Sequence, residues 1–280
     1  MSAATLPGPN ELDDRERAAV EALLRALADD EYVAAERYID WQVRGPTLEA
    51  DISIANIAQD ELGHARLWYD LLQDFGYREQ DLIWERAPDD FRHATLLELP
   101  FERGDWADCV LRSYFHDVAE HLRLEALAGS SYPRIADRVA KVQAEESYHR
   151  EHAQNWLERL CDDDPGRERV QAALDRLFPY ALTLFEPTEQ EDAIVDLGVR
   201  TESIETLRED WLAIVVPFLE SLGLRVTDGE VNLAALVPEA HGRDGTHTDH
   251  WQRLYNEMTY TYEQLGRREP RRIMRDPDDE

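Results

Sequence analysis

The chain has 280 residues, 43% of them hydrophobic, and carries 60 acidic against 30 basic residues, a formal net charge of −30. No run of about 18 apolar residues occurs, which excludes a membrane-spanning helix, and the clustered positive charge that nucleic acids need is missing. Seven Trp and eleven Tyr argue against disorder, so we expect a folded protein whose acidic surface suits a halophilic, salt-rich cytoplasm.

The first predicted helix covers Leu12 to Val43, where apolar residues recur at helical spacing from Val20 to Tyr38. Gly45-Pro46 should end it. Thr47 should cap a second helix that runs to about Phe75.

Residues 77–104 contain Pro88, Pro100 and Gly104 and predict a long connection with a short helix. Asp105 should start a third helix, and Pro133 lies near the start of a fourth that reaches Leu160. Two helix pairs joined by a long crossing connection are typical of an all-α, ferritin-like four-helix bundle.

We expect a single ferritin-like domain. Its core bundle should cover about residues 12–160, and a C-terminal helical extension about residues 165–266. Further helical patterns occur at Glu168–Leu184, Thr201–Leu222 and Thr248–Leu265. Residues 267–280 are charged and should be frayed. The N-terminal 16 residues lack a basic region followed by an apolar run, which predicts no signal peptide and a cytoplasmic location.

Six charged or ionisable residues fall on the apolar faces of the four long helices, where such residues are rare. They are Glu31 on the first helix, Glu61 and His64 on the second, Asp117 on the third, and Glu146 and His149 on the fourth. The second and fourth helices each carry Glu-x-x-His, a spacing that puts both side chains on one face.

The six residues form an internal repeat. Glu31, Glu61 and His64 recur as Asp117, Glu146 and His149, displaced by 86, 85 and 85 residues. Four carboxylates gathered in a core without a cation would be very costly. We therefore predict two metal ions held by these six residues, with the four carboxylates also taking part in catalysis.

Only two cysteines occur, and they form no CxxC pair, so oxygen and nitrogen ligands favour iron or manganese over an iron–sulfur cluster. Other acidic residues lie close enough to replace a ligand after an error of one turn: Glu36, Glu120, Glu125 and Glu145. Glu120 is the strongest rival to Asp117. Three more histidines near this level, His116, His121 and His152, are interpreted as surface groups or as groups behind the ligands, and Asp60 could orient a ligand histidine.

Several blocks of the chain resemble the phenylacetic acid catabolic protein family, the ferritin-like subunits of the phenylacetyl-coenzyme A epoxidase. The blocks are residues 48–58, Leu96–Pro100, Tyr114-Phe115 with Asp117, Tyr148-His149 and His247–His250. The C-type subunit is the most similar, over about residues 30–265. The resemblance implies a heteromeric complex in which a catalytic A-type subunit binds iron and the acyl-coenzyme A. Small partner proteins and a flavin and iron–sulfur reductase complete it.

C-type subunits are usually structural and have lost their ligands, whereas all six ligands are present here. The resemblance thus predicts a subunit of a di-iron monooxygenase that epoxidises the ring of phenylacetyl-coenzyme A, with electrons from a separate reductase. A ferritin-like partner subunit should bind it in a hetero- or homo-oligomer. Two alternatives remain: a scaffold subunit without turnover, and a protein that stores iron or removes peroxide. Six arginines are available for the coenzyme A phosphates: Arg37, Arg44, Arg66, Arg92, Arg103 and Arg112.

Overall fold

Four long helices dominate the computed structural model, which describes residues 4–101, 104–226 and 233–265. They are α1 (Asp14–Ile39), α2 (Leu48–Gln73), α5 (Trp106–Ala128) and α6 (Pro133–Cys161). Two short helices, α3 (Glu79–Leu82) and α4 (Thr95–Glu98), lie in the connection between α2 and α5, with a 3₁₀ turn at Pro88–Asp90 between them.

Local sequence signals fix where the long helices begin. The Asp13 carboxylate accepts the N–H of Glu16, and the Glu16 carboxylate accepts the N–H of Asp13, which together form a capping box. The Thr47 hydroxyl caps α2, as the sequence predicted, by accepting the N–H of Ala50. Asp105 caps α5 in the same way, and Pro133 opens α6, where its missing N–H has no cost.

The long helices form two hairpins, α1 with α2 and α5 with α6, whose apolar faces share one continuous core. This confirms the predicted all-α, ferritin-like bundle. Within the described residues no strand occurs. None of the described helices is long and apolar enough to cross a bilayer.

The C-terminal half covers α5 from outside the bundle. It contains α7 (Asp164–Ala181), α8 (Glu191–Asp196), α9 (Ile204–Ser221) and α10 (Trp251–Leu265). The Phe115 ring of α5 packs on Phe178 and on Trp211, and the Trp211 indole N–H donates to the Phe115 carbonyl over 3.0 Å. All but three residues of α5 are consequently buried.

The first helix ends earlier than predicted, at Ile39 rather than Val43. From Asp40 onward the N–H groups bond the carbonyl three residues back, which tightens the chain and turns the Trp41 ring against Phe101. Val43 then adopts a left-handed φ of 63°. The division into core bundle and extension stays a prediction, and the predicted frayed tail, residues 267–280, lies outside the described residues.

Candidate metal centre

The bundle brings the six predicted ligands together in its interior, and each is at most 2% exposed. Glu31 comes from α1, Glu61 and His64 from α2, Asp117 from α5, and Glu146 and His149 from α6. Donor atoms of these six residues and of His116 form three groups in which all atoms lie within 4.8 Å of one another. These groups are Glu31–Glu61–His116, Glu61–His64–Glu146 and Glu61–Asp117–His149.

Glu61 and Glu146 lie between the two histidines. The Nδ1 atoms of His64 and His149 are each 3.2 Å from the same oxygen of Glu146, Oε1. The two oxygens of Glu61 divide between the rings: Oε2 is 3.7 Å from His64 Nδ1, and Oε1 is 3.7 Å from His149 Nδ1. Both carboxylates therefore face both rings and would help to hold cations bound there.

The far nitrogen of each ring is held by a carboxylate from the opposite hairpin. His64 Nε2 on α2 is 2.8 Å from Glu145 Oε2 on α6, and His149 Nε2 on α6 is 3.3 Å from Asp60 Oδ2 on α2. Each carboxylate comes four residues before the histidine of its own helix. In the neutral ring, these contacts favour the tautomer with the proton on Nε2, whose Nδ1 lone pair would face the cluster.

One face of α5 contributes two donors to these groups, His116 and Asp117, rather than one. Ser113, His116, Asp117 and Glu120 follow the spacing i, i+3, i+4, i+7 of a single helical face. The Ser113 hydroxyl donates to Asp117 Oδ2 over 3.0 Å, while Asp117 Oδ1 has no partner. The hydroxyl thereby fixes which oxygen of Asp117 points at the cluster.

Charge separates Asp117 from its rival Glu120. Glu120 is also fully buried, but its Oε2 lies 3.5 Å from the Arg123 guanidinium. Arg123 and Arg243 also bind the buried Asp30, each over 2.5 Å, so these two cations balance the charges of Asp30 and Glu120. Among the described residues no arginine pairs with Asp117, which favours it as the third-helix ligand.

The structure corrects part of the sequence interpretation. His116 was expected at the surface or behind the ligands, and the surface alternative is wrong, because His116 is fully buried beside Glu61 and Asp117. Its place on one face with Asp117 was the signal that could have identified it. Glu145 contacts the outer nitrogen of His64, Nε2, and belongs to none of the donor groups.

The remaining candidates are not in the cluster. Glu125 is exposed and lies 3.5 Å from His121. Glu36 is partly buried outside the three donor groups. The two ring nitrogens of His152 are buried without a partner, and His152 belongs to none of these groups.

The inner atoms of the cluster lack hydrogen-bond partners. Both oxygens of Glu31, Glu61 and Glu146, and the Nδ1 atoms of His64 and His149, are buried and unpaired. Buried polar atoms of native proteins are nearly always paired, and an unpaired buried charge is costly. Gaps of 3.2–3.9 Å between donors suit two atoms that each lie about 2.1 Å from a shared ion. The residues present therefore fit a pair of cations.

The same crowding shifts the pKa values of the cluster. Burial raises the pKa of Glu31 well above its ordinary value, and the charges of Glu120 and Glu61 raise it further. Burial lowers the pKa of His64, but the neighbouring Glu146 and Glu61 outweigh this effect and raise it to about 10. Without a cation the cluster thus retains protons, which a bound metal would displace.

A second group of histidines and a carboxylate lies outside the cluster, and we call it the Glu98 clamp. It consists of His93, Glu98, His247 and Thr248. Glu98 Oε2 is 2.7 Å from His93 Nε2 and 2.8 Å from His247 Nδ1, and Oε1 accepts the N–H of Thr248 over 2.5 Å. Despite the burial of Glu98, hydrogen bonds from the two histidines lower its pKa to about 2.

Two of the six arginines proposed for coenzyme A are committed elsewhere. Arg37 is buried and donates to the Glu98 carbonyl, and Arg112 is buried and donates to the Leu99 carbonyl. Arg92 donates to two backbone carbonyls. Arg44 is exposed and Arg66 partly buried, and Arg103 lies outside the described residues.

Comparisons with known proteins show which sequences the chain is similar to. The model of the family described as phenylacetic acid catabolic protein matches residues 3–268. The C-type subunit of 1,2-phenylacetyl-CoA epoxidase from Escherichia coli K12 is 30% identical over 237 residues, which cover 84% of this chain and 92% of that protein. The A-type subunit of the same epoxidase is 23% identical over 198 residues, 69% of this chain and 63% of that protein.

Proposed function

The chain belongs to the phenylacetic acid catabolic protein family, and on this premise we propose that it is a subunit of a multicomponent oxygenase acting on phenylacetyl-coenzyme A. We further propose that it holds a di-iron centre on Glu31, Glu61, His64, Asp117, Glu146 and His149. One observation carries the second proposal: the buried inner atoms of the cluster have no hydrogen-bond partner.

Charge supports a pair of divalent cations. Glu31, Glu61, Asp117 and Glu146 together offer four negative charges, and two divalent ions neutralise them. The next layer is already balanced, since Asp30 and Glu120 face Arg123 and Arg243. Oxygen and imidazole donors together suit iron or manganese.

Other residues orient the proposed ligands and connect them with solvent. Asp60 and Glu145 orient the two rings, and Ser113 orients Asp117. The side chains of Asp60 and Glu145 are 37% and 39% exposed, so they connect buried imidazoles with water and can pass protons outward. Burial of the donors on all sides keeps bulk water away from the bound ions.

When bound, two ferrous ions would supply the reduction of dioxygen, which delivers one oxygen atom to the aromatic ring and releases the other as water. Two electrons and two protons are needed for this balance. The sequence contains no GxGxxG dinucleotide motif, so the electrons should come from a separate reductase. A second ferritin-like subunit is the expected partner.

A scaffold role without turnover is the rival function. It is favoured by the higher identity to the C-type than to the A-type subunit of the epoxidase, 30% against 23%. Against it stands the full set of donors, because a scaffold has no use for four carboxylates in its core.

Metal content and turnover test the proposal separately. The chain is loaded anaerobically with Fe²⁺, and the iron bound per chain is measured; two ions per chain support the di-iron centre, and none contradicts it. Phenylacetyl-coenzyme A consumption is then assayed with the chain alone and with its partner subunits and reductase. If Glu61→Ala retained full activity in the complex, the catalytic iron would belong to the partner. Iron uptake without substrate consumption in any combination would indicate storage or peroxide removal.

A further inference from the structure

His116 on α5 is a buried histidine for which the six-ligand centre gives no role. Its side chain is fully buried, and neither ring nitrogen has a hydrogen-bond partner. Folded proteins seldom leave both nitrogens of a buried imidazole unpaired, because each buried nitrogen without a partner has lost its hydrogen bond to water.

The ring faces the carboxylates of the cluster at a distance that excludes direct hydrogen bonds. His116 Nδ1 is 3.9 Å from Glu61 Oε1 on α2 and 3.9 Å from Asp117 Oδ1 on its own helix. Hydrogen bonds between nitrogen and oxygen are about 2.7–3.2 Å long. Two donors that each lie about 2.1 Å from one ion can be 3.9 Å apart when they subtend a wide angle at it.

His116 also completes a donor group of its own. Its ring shares a site with Glu31 of α1 and Glu61 of α2, and the three donor atoms lie within 4.8 Å of one another. Neither His64 nor His149 belongs to this group. A cation that contacts Glu31 and Glu61 therefore has an imidazole within reach.

We propose that His116 is a third nitrogen ligand of the metal centre, acting together with Glu31 and Glu61. This inference rests on the proposed function, since it requires the centre to hold metal. A neutral imidazole adds a donor without adding charge, so the balance of four carboxylates against two divalent ions is kept. The centre then becomes asymmetric, because α5 supplies two ligands, His116 and Asp117, where α1 supplies Glu31 alone.

The nitrogen ligands can be counted directly on the full-length wild-type chain. Protein labelled with ¹⁵N at histidine is loaded anaerobically with Fe²⁺ and partly oxidised to the mixed-valent state, and pulsed EPR resolves the histidine nitrogens coupled to iron. Three coupled histidines support the proposal, and two overturn it while the di-iron centre stands. Failure to bind iron at all would overturn the proposed function as well, and the two failures are thus distinguishable.

Variants test whether the third nitrogen coupling comes from His116. His116→Phe should remove one nitrogen coupling and weaken Fe²⁺ binding at least about tenfold, and His116→Gln tests the same loss with a polar side chain if the Phe variant does not fold. His152→Phe is the matched control, because His152 also has two buried, unpaired nitrogens but lies outside the donor groups. It should leave the couplings and the affinity unchanged. A folded His116 variant that keeps every coupling would refute the assignment.

Discussion

The cluster of candidate metal ligands around Glu61 and the Glu98 clamp use the same residue types. They differ in the distances between the histidine nitrogens and the carboxylate oxygens. In the cluster, the gaps between the imidazole nitrogens and the inner carboxylate oxygens are 3.2–3.9 Å, and none of them is a hydrogen bond. In the clamp, the two imidazole nitrogens lie 2.7 and 2.8 Å from one oxygen of Glu98. The clamp is closed by hydrogen bonds, whereas the cluster leaves room for ions.

The outer nitrogens of the histidine rings are paired in the cluster and unpaired in the clamp. In the cluster, Glu145 and Asp60 accept the protons of the outer nitrogens. In the clamp, His93 Nδ1 and His247 Nε2 are buried without partners. A neutral imidazole that binds metal through one nitrogen must keep its proton on the other, and that proton needs an acceptor. Two histidines and a carboxylate close together are therefore insufficient evidence for a metal site. Such a site also needs acceptors for the protons on the outer ring nitrogens.

The clamp instead fastens the C-terminal segment to the connection that precedes α5. Besides His247 and Thr248, the Trp251 ring packs on His93 at 4.3 Å between centroids. Gly242 makes this approach possible, because a Cβ there would lie 2.1 Å from the His93 carbonyl oxygen. The role of the Glu98 clamp is therefore structural.

The largest expected effect is the loss of the metal pair in Glu61→Ala. Glu61 belongs to all three donor groups of the cluster. If structural metal binding of about 10–16 kcal/mol is shared among four ligands, each contributes about 3 kcal/mol, so losing a ligand common to two ions costs about 6 kcal/mol. Iron content after anaerobic loading and desalting should fall from two ions per chain to nearly none. Glu98→Gln is the control and should still bind two; a lower content would mean that the clamp also holds metal.

Glu98→Gln should instead lower the free energy of unfolding. The amide replaces a charged acceptor of three hydrogen bonds, and hydrogen bonds to charged groups contribute about 1.5–3 kcal/mol each. Because the amide oxygen still accepts, we expect a net loss of about 2–3 kcal/mol. Urea denaturation of the metal-free protein measures it. A loss below about 0.5 kcal/mol, the level of an exposed substitution, would show that the clamp does not stabilise the fold.

Asp60→Asn and Glu145→Gln should weaken metal binding without abolishing it. Each removes the charged acceptor behind one ring, a change that typically costs about 10- to 100-fold in metal affinity. Competition with a chelator gives the affinities of both variants. Because the two contacts are equivalent in the repeat, similar losses are expected, and Glu151→Gln, an exposed carboxylate on α6, should have no effect. Unchanged affinities would mean that the rings are oriented by packing alone.

Much of the bundle was predictable from local signals. The caps at Thr47 and Asp105, Pro133 at the start of α6, and the period of apolar residues fix the long helices before any packing is known. The end of α1 was missed because the contacts of Trp41 with Phe101 and Trp106 are made across the fold, and no local pattern reports them.

The difference between local signals and contacts across the fold also decides how far the cluster and the Glu98 clamp could be predicted. The Glu-x-x-His repeat identified residues that the structure brings together, because its members share helix faces. That these residues hold metal stays a prediction. His116 was expected at the surface or behind the ligands although it lies on one face with Asp117; its counterpart in the repeat, Asp30 of α1, binds Arg123 and Arg243 and belongs to no donor group. The clamp could not be predicted, since Glu98 and His247 are separated by 149 residues. Both belong to blocks, at 96–100 and 247–250, in which the sequence analysis saw a resemblance to the family, and in this structure the two blocks meet in the clamp.

The smallest effect is an opening of the clamp in acid. Burial lowers the pKa of His93 below its ordinary 6.5, so its stabilising contribution falls as the pH drops below 6.5. The pKa of Glu98 is lowered from 4.5 to about 2, so its contribution is present above pH 4.5 and is lost as the pH falls toward 2. Between pH 4.5 and 3.5 this second loss is about 1 kcal/mol.

Hydrogen exchange measures this opening locally. Protection of α10, which follows Thr248, should fall with acid before that of α9, once the intrinsic pH dependence of exchange is corrected. In Glu98→Gln the loss below pH 4.5 should disappear, because the carboxyl that titrates there is gone, while the loss from His93 remains. If α10 and α9 lost protection together in the wild type, the clamp would open only with the whole bundle, and its acid sensitivity would be that of the global fold.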